Sequence, residues 1–140
     1  MSQPARPQNL FSTPGFEDLG RYTGTDNYWR SGFVYKDRSL SYTDGVQYVA
    51  EKAKAYWLID MCLSHAVEIY KKYAATEPRK FYDVLVCELT LKEDSDGAVF
   101  MVYDGDRRII ALQDIQFTYF PAAKQVFWIK EGILMLPSEY

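Results

Sequence analysis

The chain is poor in the residues that most often build metal and redox sites: of its 140 residues one is histidine and two are cysteine. Cys62 and Cys87 belong to no Cys-x-x-Cys pair and to no dense framework, so buried free thiols in a reducing compartment are expected. His65 lies three positions after Cys62, and a metal site needs more ligands than these two. The sequence has no apolar run near the roughly 20 residues of a membrane span, and its opening stretch, MSQPARPQNLF, lacks the charged-then-apolar pattern of a secretory signal. A cytoplasmic protein is therefore expected. Excess positive charge is also missing. With a net charge of −3 and a pI near 5.2, bulk electrostatics disfavour nucleic acid and anionic membrane as partners, because both must be neutralised by Lys and Arg.

Aromatic residues are plentiful. Phe, Trp and Tyr make up 16% of the chain, with twelve tyrosines, more than a core of this size can hide. Several rings should lie at the surface or in an interface. The length fits one domain with its own core, and a mean hydropathy of −0.29 with 25% charged residues fits an ordinary globular chain.

Residues 1–16 carry Pro4, Pro7, Pro14 and Gly15 and read as a flexible arm, with Phe11 and Phe16 able to dock on a domain spanning 17–140. A small hairpin is expected from Phe33 to Thr43. Thr43 then precedes Asp44 and an apolar series at Val46, Val49, Ala50, Ala53 and Trp57, whose spacings of three and four define one helical face. Thr43 is the expected N-cap and Asp44 favours the positive end of the dipole. The series runs on to Tyr73, too long for one helix in a small domain, so a break is expected near Lys52 to Ala55, with Glu77, Pro78 and Arg79 ending the second helix. The remainder reads as strands: Phe81 to Leu91, Val99 to Tyr103, Arg107 to Leu112 across an Asp-Gly turn, Ile115 to Phe120, Val126 to Ile129 and Ile133 to Leu136. The expected fold is α+β, with two N-terminal helices on one face of an antiparallel meander of about four to five strands.

Three constellations stand out. The segment RYTGTDNYWR holds Tyr22, Tyr28, Trp29 and Arg30, aromatics and a base suited to contact, with one of the two adjacent rings expected buried and the other exposed. The turns are acidic: Glu93, Asp94, Asp96, Asp104 and Asp106 suit a basic partner, although the DSDG run lacks the spacing of a calcium loop. Tyr56, Asp60 and Ser64 share a helix face and offer an alternative small polar ligand pocket, against the plainer reading of a solvated face. No phosphate-binding, dinucleotide, nucleophile-elbow or zinc-protease motif is present, so no catalytic residues, cofactor or metal are expected.

The stretches YTGTDNYWR, LSYTDGVQYVAEKAKAYWLID, QDIQFTYFP and GILMLPSEY together resemble a small uncharacterised family, a domain of unknown function from bacteria and their plasmids and phages, over about Leu19 to Tyr140. The resemblance implies a context rather than an activity: small proteins on mobile elements are often accessory or anti-defence factors. The expected function is thus a non-enzymatic protein–protein interaction module, with a host defence complex as partner, such as an anti-CRISPR inhibitor of a phage or plasmid. The alternative is a small-molecule-binding or enzymatic domain at Tyr56 and Asp60. Homodimerisation through a strand edge is compatible with either.

Overall fold

A computed structural model of the chain describes residues 7–73, 76 and 83–140. The first hairpin is set by its turn. Lys36 and Asp37 both take left-handed backbone angles, φ 49° and 64°, the two-residue geometry whose twist matches paired strands. It joins β1 (Tyr28–Tyr35) to β2 (Arg38–Thr43) in antiparallel register, with Tyr28 opposite Thr43 and an irregularity between Arg30 and Val34.

β2 runs directly into α1 (Asp44–Lys52). Thr43 leaves the strand with extended angles, and its hydroxyl accepts the Val46 N–H at 3.4 Å, as an N-cap should. Val46, Val49 and Ala50 bury the inner face. The break then falls where the length argument expects it. Lys54 adopts φ 54°, the Ala55 N–H donates to Ala50 O at 2.8 Å and the Lys54 N–H to Glu51 O at 3.4 Å. This is the Schellman closure of a helix, normally made by glycine because a side chain at that φ costs about 1–2 kcal/mol. A lysine occupies the position here.

α2 (Tyr56–Tyr73) follows. It buries Leu58, Ile59, Cys62, Leu63, Ala66, Val67, Ile69 and Tyr70, spaced to line one stripe. The expected helix end at Glu77 to Arg79 and the expected strand start at Phe81 lie outside the described residues. The other strands are β3 (Leu85–Leu91), β4 (Ala98–Tyr103), β5 (Ile109–Ile115), β6 (Lys124–Lys130) and β7 (Ile133–Met135). β3 and β4 alternate strictly between buried and half-buried, so Leu85, Cys87, Leu89, Phe100 and Val102 meet the helices while Val86, Glu88, Thr90, Met101 and Tyr103 face away. Glu88 on that outer face pairs with Lys124 at 2.8 Å.

The described residues form one seven-stranded mixed sheet, ordered β1-β2-β7-β6-β3-β4-β5, and two α-helices. α+β holds, but the expected antiparallel meander of four to five strands does not. The N-terminal hairpin joins the main sheet because β2 pairs with β7 in parallel, Ser41 opposite Ile133 and Tyr42 opposite Leu134. Such a pair requires a long crossover, and α1 and α2 begin it. β3 is an interior strand that pairs with both β4 and β6, so β6 returns past β3 to the middle of the sheet rather than lying beside β5. The strand expected over Ile115 to Phe120 is also corrected. β5 ends at Ile115, and the chain to Lys124 is a loop tied down by the Thr118 N–H donating to Asp96 O at 2.8 Å and the Ala123 N–H donating to Pro7 O at 2.7 Å. Before β1, Leu10, Phe16 and Leu19 are buried in the core and Phe11 is exposed. Among the described residues no helix is long and apolar enough to cross a membrane.

Candidate interaction surfaces

Segments far apart in sequence converge on the N-terminus of α1, where the first peptide N–H groups lack helical partners and the dipole favours negative charge. Two carboxylates meet it. Glu139 Oε1 accepts the Thr43 hydroxyl at 2.6 Å and the Leu136 N–H at 2.9 Å, while Oε2 accepts the Gly45 N–H at 3.1 Å from 94 residues away. Asp44 turns the other way: Oδ2 accepts the Asp26 and Asn27 N–H groups at 3.1 and 3.2 Å, and Oδ1 accepts the Trp29 indole N–H at 2.9 Å. The Asp44 N–H donates to Thr25 Oγ1 at 2.9 Å, and the Ser138 hydroxyl donates to Tyr22 O at 2.8 Å. The Trp29 indole, ahead of the Asp26 and Asn27 amides, holds the Asp44 carboxyl below its usual pKa, against a smaller opposing effect of burial. Gly45 is needed for this closure, since a Cβ there would stand 2.5 Å from Glu139 Oε1 and 2.6 Å from Leu136 Cδ1.

Three of the four stretches that carry the family resemblance therefore meet in one knot. Its polar groups are largely spent on each other. What stays open is the aromatic rim on β1: Tyr28 is 61% and Trp29 42% exposed. Both rings are thus exposed, where one was expected buried, because β1 is an edge strand whose neighbouring side chains alternate between faces. Trp29 lies flat against Tyr42, centroids 6.4 Å apart and planes at 14°. Burial raises the Tyr42 phenol pKa, with Tyr56 and Asp60 adding to the rise. Tyr56 and Asp60 thus lie close enough to Tyr42 to influence its phenol, and Gln47 Nε2 donates to the Tyr56 hydroxyl at 2.8 Å. Ser64 instead donates to Met61 O in its own helix. Tyr22 packs on Tyr48, centroids 5.1 Å apart, and Arg30 is exposed on β1.

The acidic residues divide between two turns. Glu93, Asp94 and Asp96 lie between β3 and β4, and Asp104 and Asp106 between β4 and β5, at opposite ends of β4. Asp104 is buried: Oδ1 accepts the Asp106 and Arg108 N–H groups, each at 2.9 Å, and Oδ2 accepts Arg108 Nε at 2.7 Å, so this carboxylate builds its own turn. Cys62 and Cys87 are free and buried. Burial, with the neighbouring Cys87 thiol, pushes the Cys62 thiol well above its usual pKa, which leaves it a poor nucleophile. His65 stacks on Phe100 at 5.3 Å, its Nε2 2.8 Å from Gln113 Oε1. No described group of three or more His, Cys, Asp or Glu residues is arranged to hold a metal.

At the opposite edge of the sheet lies a surface that the sequence reading did not single out. A groove of about 640 Å³ opens between the α1–α2 turn and the loop after β5, walled by Trp57, Phe117 and Tyr119 and rimmed by Lys52 and Lys54. Tyr119 is 86% exposed, and Phe117 meets it edge-on with centroids 4.5 Å apart. Ile109 and Leu112 continue the exposed apolar strip along β5. The available signal was QFTYFP, whose alternating rings resemble a strand but sit on a loop. A smaller groove of about 450 Å³ lies between Asn9, Phe11, Lys124 and Pro137.

A small α+β domain with aromatic sheet edges is the class that this geometry defines. The chain belongs to DUF6876, a family of unknown function, whose model matches residues 15–140. No curated protein and no solved structure matches it.

Proposed function

We propose that this protein is a non-enzymatic module that binds another protein in the cytoplasm. The observation that supports this reading is where its large exposed apolar side chains lie: Tyr28, Trp29 and Val34 on β1, and Ile109, Leu112, Phe117 and Tyr119 along β5 and the loop after it. Both edges of the sheet thus join backbone groups that pair with no further strand among the described residues to exposed rings, the pairing that protein partners exploit. The resemblance to proteins of bacterial mobile elements supports a host defence complex as the partner, in the manner of an anti-CRISPR inhibitor. Crosslinked affinity capture from a bacterial lysate tests the module, with a Tyr28→Ala and Tyr119→Ala pair of controls. A partner lost with one of the two variants is expected, and capture indifferent to both sinks the reading. Inhibition of a purified CRISPR effector tests the narrower partner class.

A small-ligand site is the second reading, supported by polar groups gathered near Tyr42: Tyr56, bonded by Gln47 at 2.8 Å, and Asp60, both close enough to influence its phenol. A thermal-shift screen with nucleotides tests it, since a tight ligand raises the melting temperature. A shift abolished by Asp60→Ala is the expected sign.

A further inference from the structure

We propose that the groove at the end of β5 receives an extended, acidic segment of the partner protein, a reading that rests on the protein being a binding module. Charge complementarity names the chemistry. The chain is net negative at −3, yet the groove lining includes Lys52 and Lys54 and no carboxylate. Glu17, whose Oε1 accepts the Gly15 N–H at 3.1 Å, lies close enough to Lys52 to offset part of its charge, which leaves Lys54 as the open cation. Lys54 has no ion-pair partner among the described residues. It also holds a left-handed backbone, φ 54°, in a helix closure that glycine would complete with less strain. Lys36, Asp37, Arg107 and Glu131 share such angles, and what sets Lys54 apart is that its strained position puts the side chain at an aromatic groove.

The sheet edge favours a polypeptide as occupant. β5 pairs only with β4 among the described residues, so its outer N–H and C=O groups are free to complete a ladder with an added strand. Its last residue, Ile115, lines the groove. A segment paired along β5 past Leu112 would reach the groove with an apolar side chain for Trp57 and Phe117 and a carboxylate for Lys54. The groove volume, about 640 Å³, lies within the range of sites that enclose a small ligand or a few residues. Two lysines are few for an oligonucleotide, whose affinity grows with each phosphate neutralised.

The test pans a random peptide library displayed on phage against the full chain, then measures synthetic copies of the enriched peptides by fluorescence polarisation. Enriched sequences should share an Asp or Glu beside an aromatic or aliphatic residue. Lys54→Gly should weaken their binding about tenfold or more while raising the melting temperature, so that lost binding cannot be lost folding. Phe117→Ala should weaken it comparably. Failure to enrich any peptide, enrichment without acidic residues, or equal binding by Lys54→Gly overturns the proposal. So does preferential binding of a single-stranded oligonucleotide that Lys54→Gly abolishes. Peptides displaced by Tyr28→Ala instead would sink this groove and leave the module reading standing, which fails separately in the capture experiment.

Discussion

The N-terminus of α1 and the edge of β5 use the same kinds of residue for opposite ends. At α1 the carboxylates of Asp44 and Glu139 and the indole of Trp29 are consumed by hydrogen bonds among three chain segments. At β5 the rings of Phe117 and Tyr119 and the ammonium of Lys54 meet no comparable set of partners among the described residues. A residue rich in chemistry is therefore a poor guide to function until its partners are known. Three of the motif stretches that stand out in sequence built the closed knot, and the fourth, QDIQFTYFP, supplies the open surface as a loop that reads as a strand.

Variants at the two regions should separate stability from binding. Glu139→Ala removes the acceptor for the Thr43 hydroxyl and for the Gly45 and Leu136 N–H groups, and a loss of about 3 kcal/mol is expected in urea unfolding. Gly45→Ala drives a methyl group into that carboxylate and should cost about 2 kcal/mol, as overpacking does. If either variant unfolds like the parent chain, the knot is not what holds the helix terminus.

Trp29→Phe keeps a ring on Tyr42 but removes the indole donor to Asp44, for about 1 kcal/mol. The acid limb carries the sign. Because the folded-state pKa of Asp44 is lowered, its contribution is fully present above the unfolded value of about 3.9 and is lost as pH falls through the folded value. Unfolding measured between pH 5 and pH 2, a range of about three units about that value, should therefore show a shallower acid loss in Asp44→Asn than in the parent. An unchanged slope would remove Asp44 from the acid response.

The β5 region should behave in reverse. Lys54→Gly relieves the left-handed lysine and should stabilise by about 0.5–1 kcal/mol, after the added freedom of glycine in the unfolded chain is subtracted. Phe117→Ala and Tyr119→Ala, at exposed positions, should stay within about 0.5 kcal/mol of the parent, and any partner affinity should fall. Stability losses here as large as those at Glu139 would mean that the loop is structural and would dissolve the contrast.

Local pattern made parts of this protein legible. Thr43 and Asp44 announced a helix start, the apolar spacing from Val46 to Tyr73 gave two helices with a break at Lys52 to Ala55, and β-branched and aromatic content marked β3 and β4 as strands. Sequence also placed Trp29, Tyr56 and Asp60 as polar and aromatic candidates. It did not reveal that Tyr42 stacks with Trp29 and feels Tyr56 and Asp60, because a tyrosine in an amphipathic strand looks the same whether it meets a helix or water. Strand order, the parallel β2–β7 pair and the place of β3 between β4 and β6 were decided only in three dimensions. Side-chain periodicity fixes which face of a strand is buried, whereas the backbone ladder that chooses its neighbour is nearly blind to residue type. The same reason hid the partnership of Gly45 with Glu139: each is ordinary in its own neighbourhood, and only the closing of the sheet brings them to 3.1 Å.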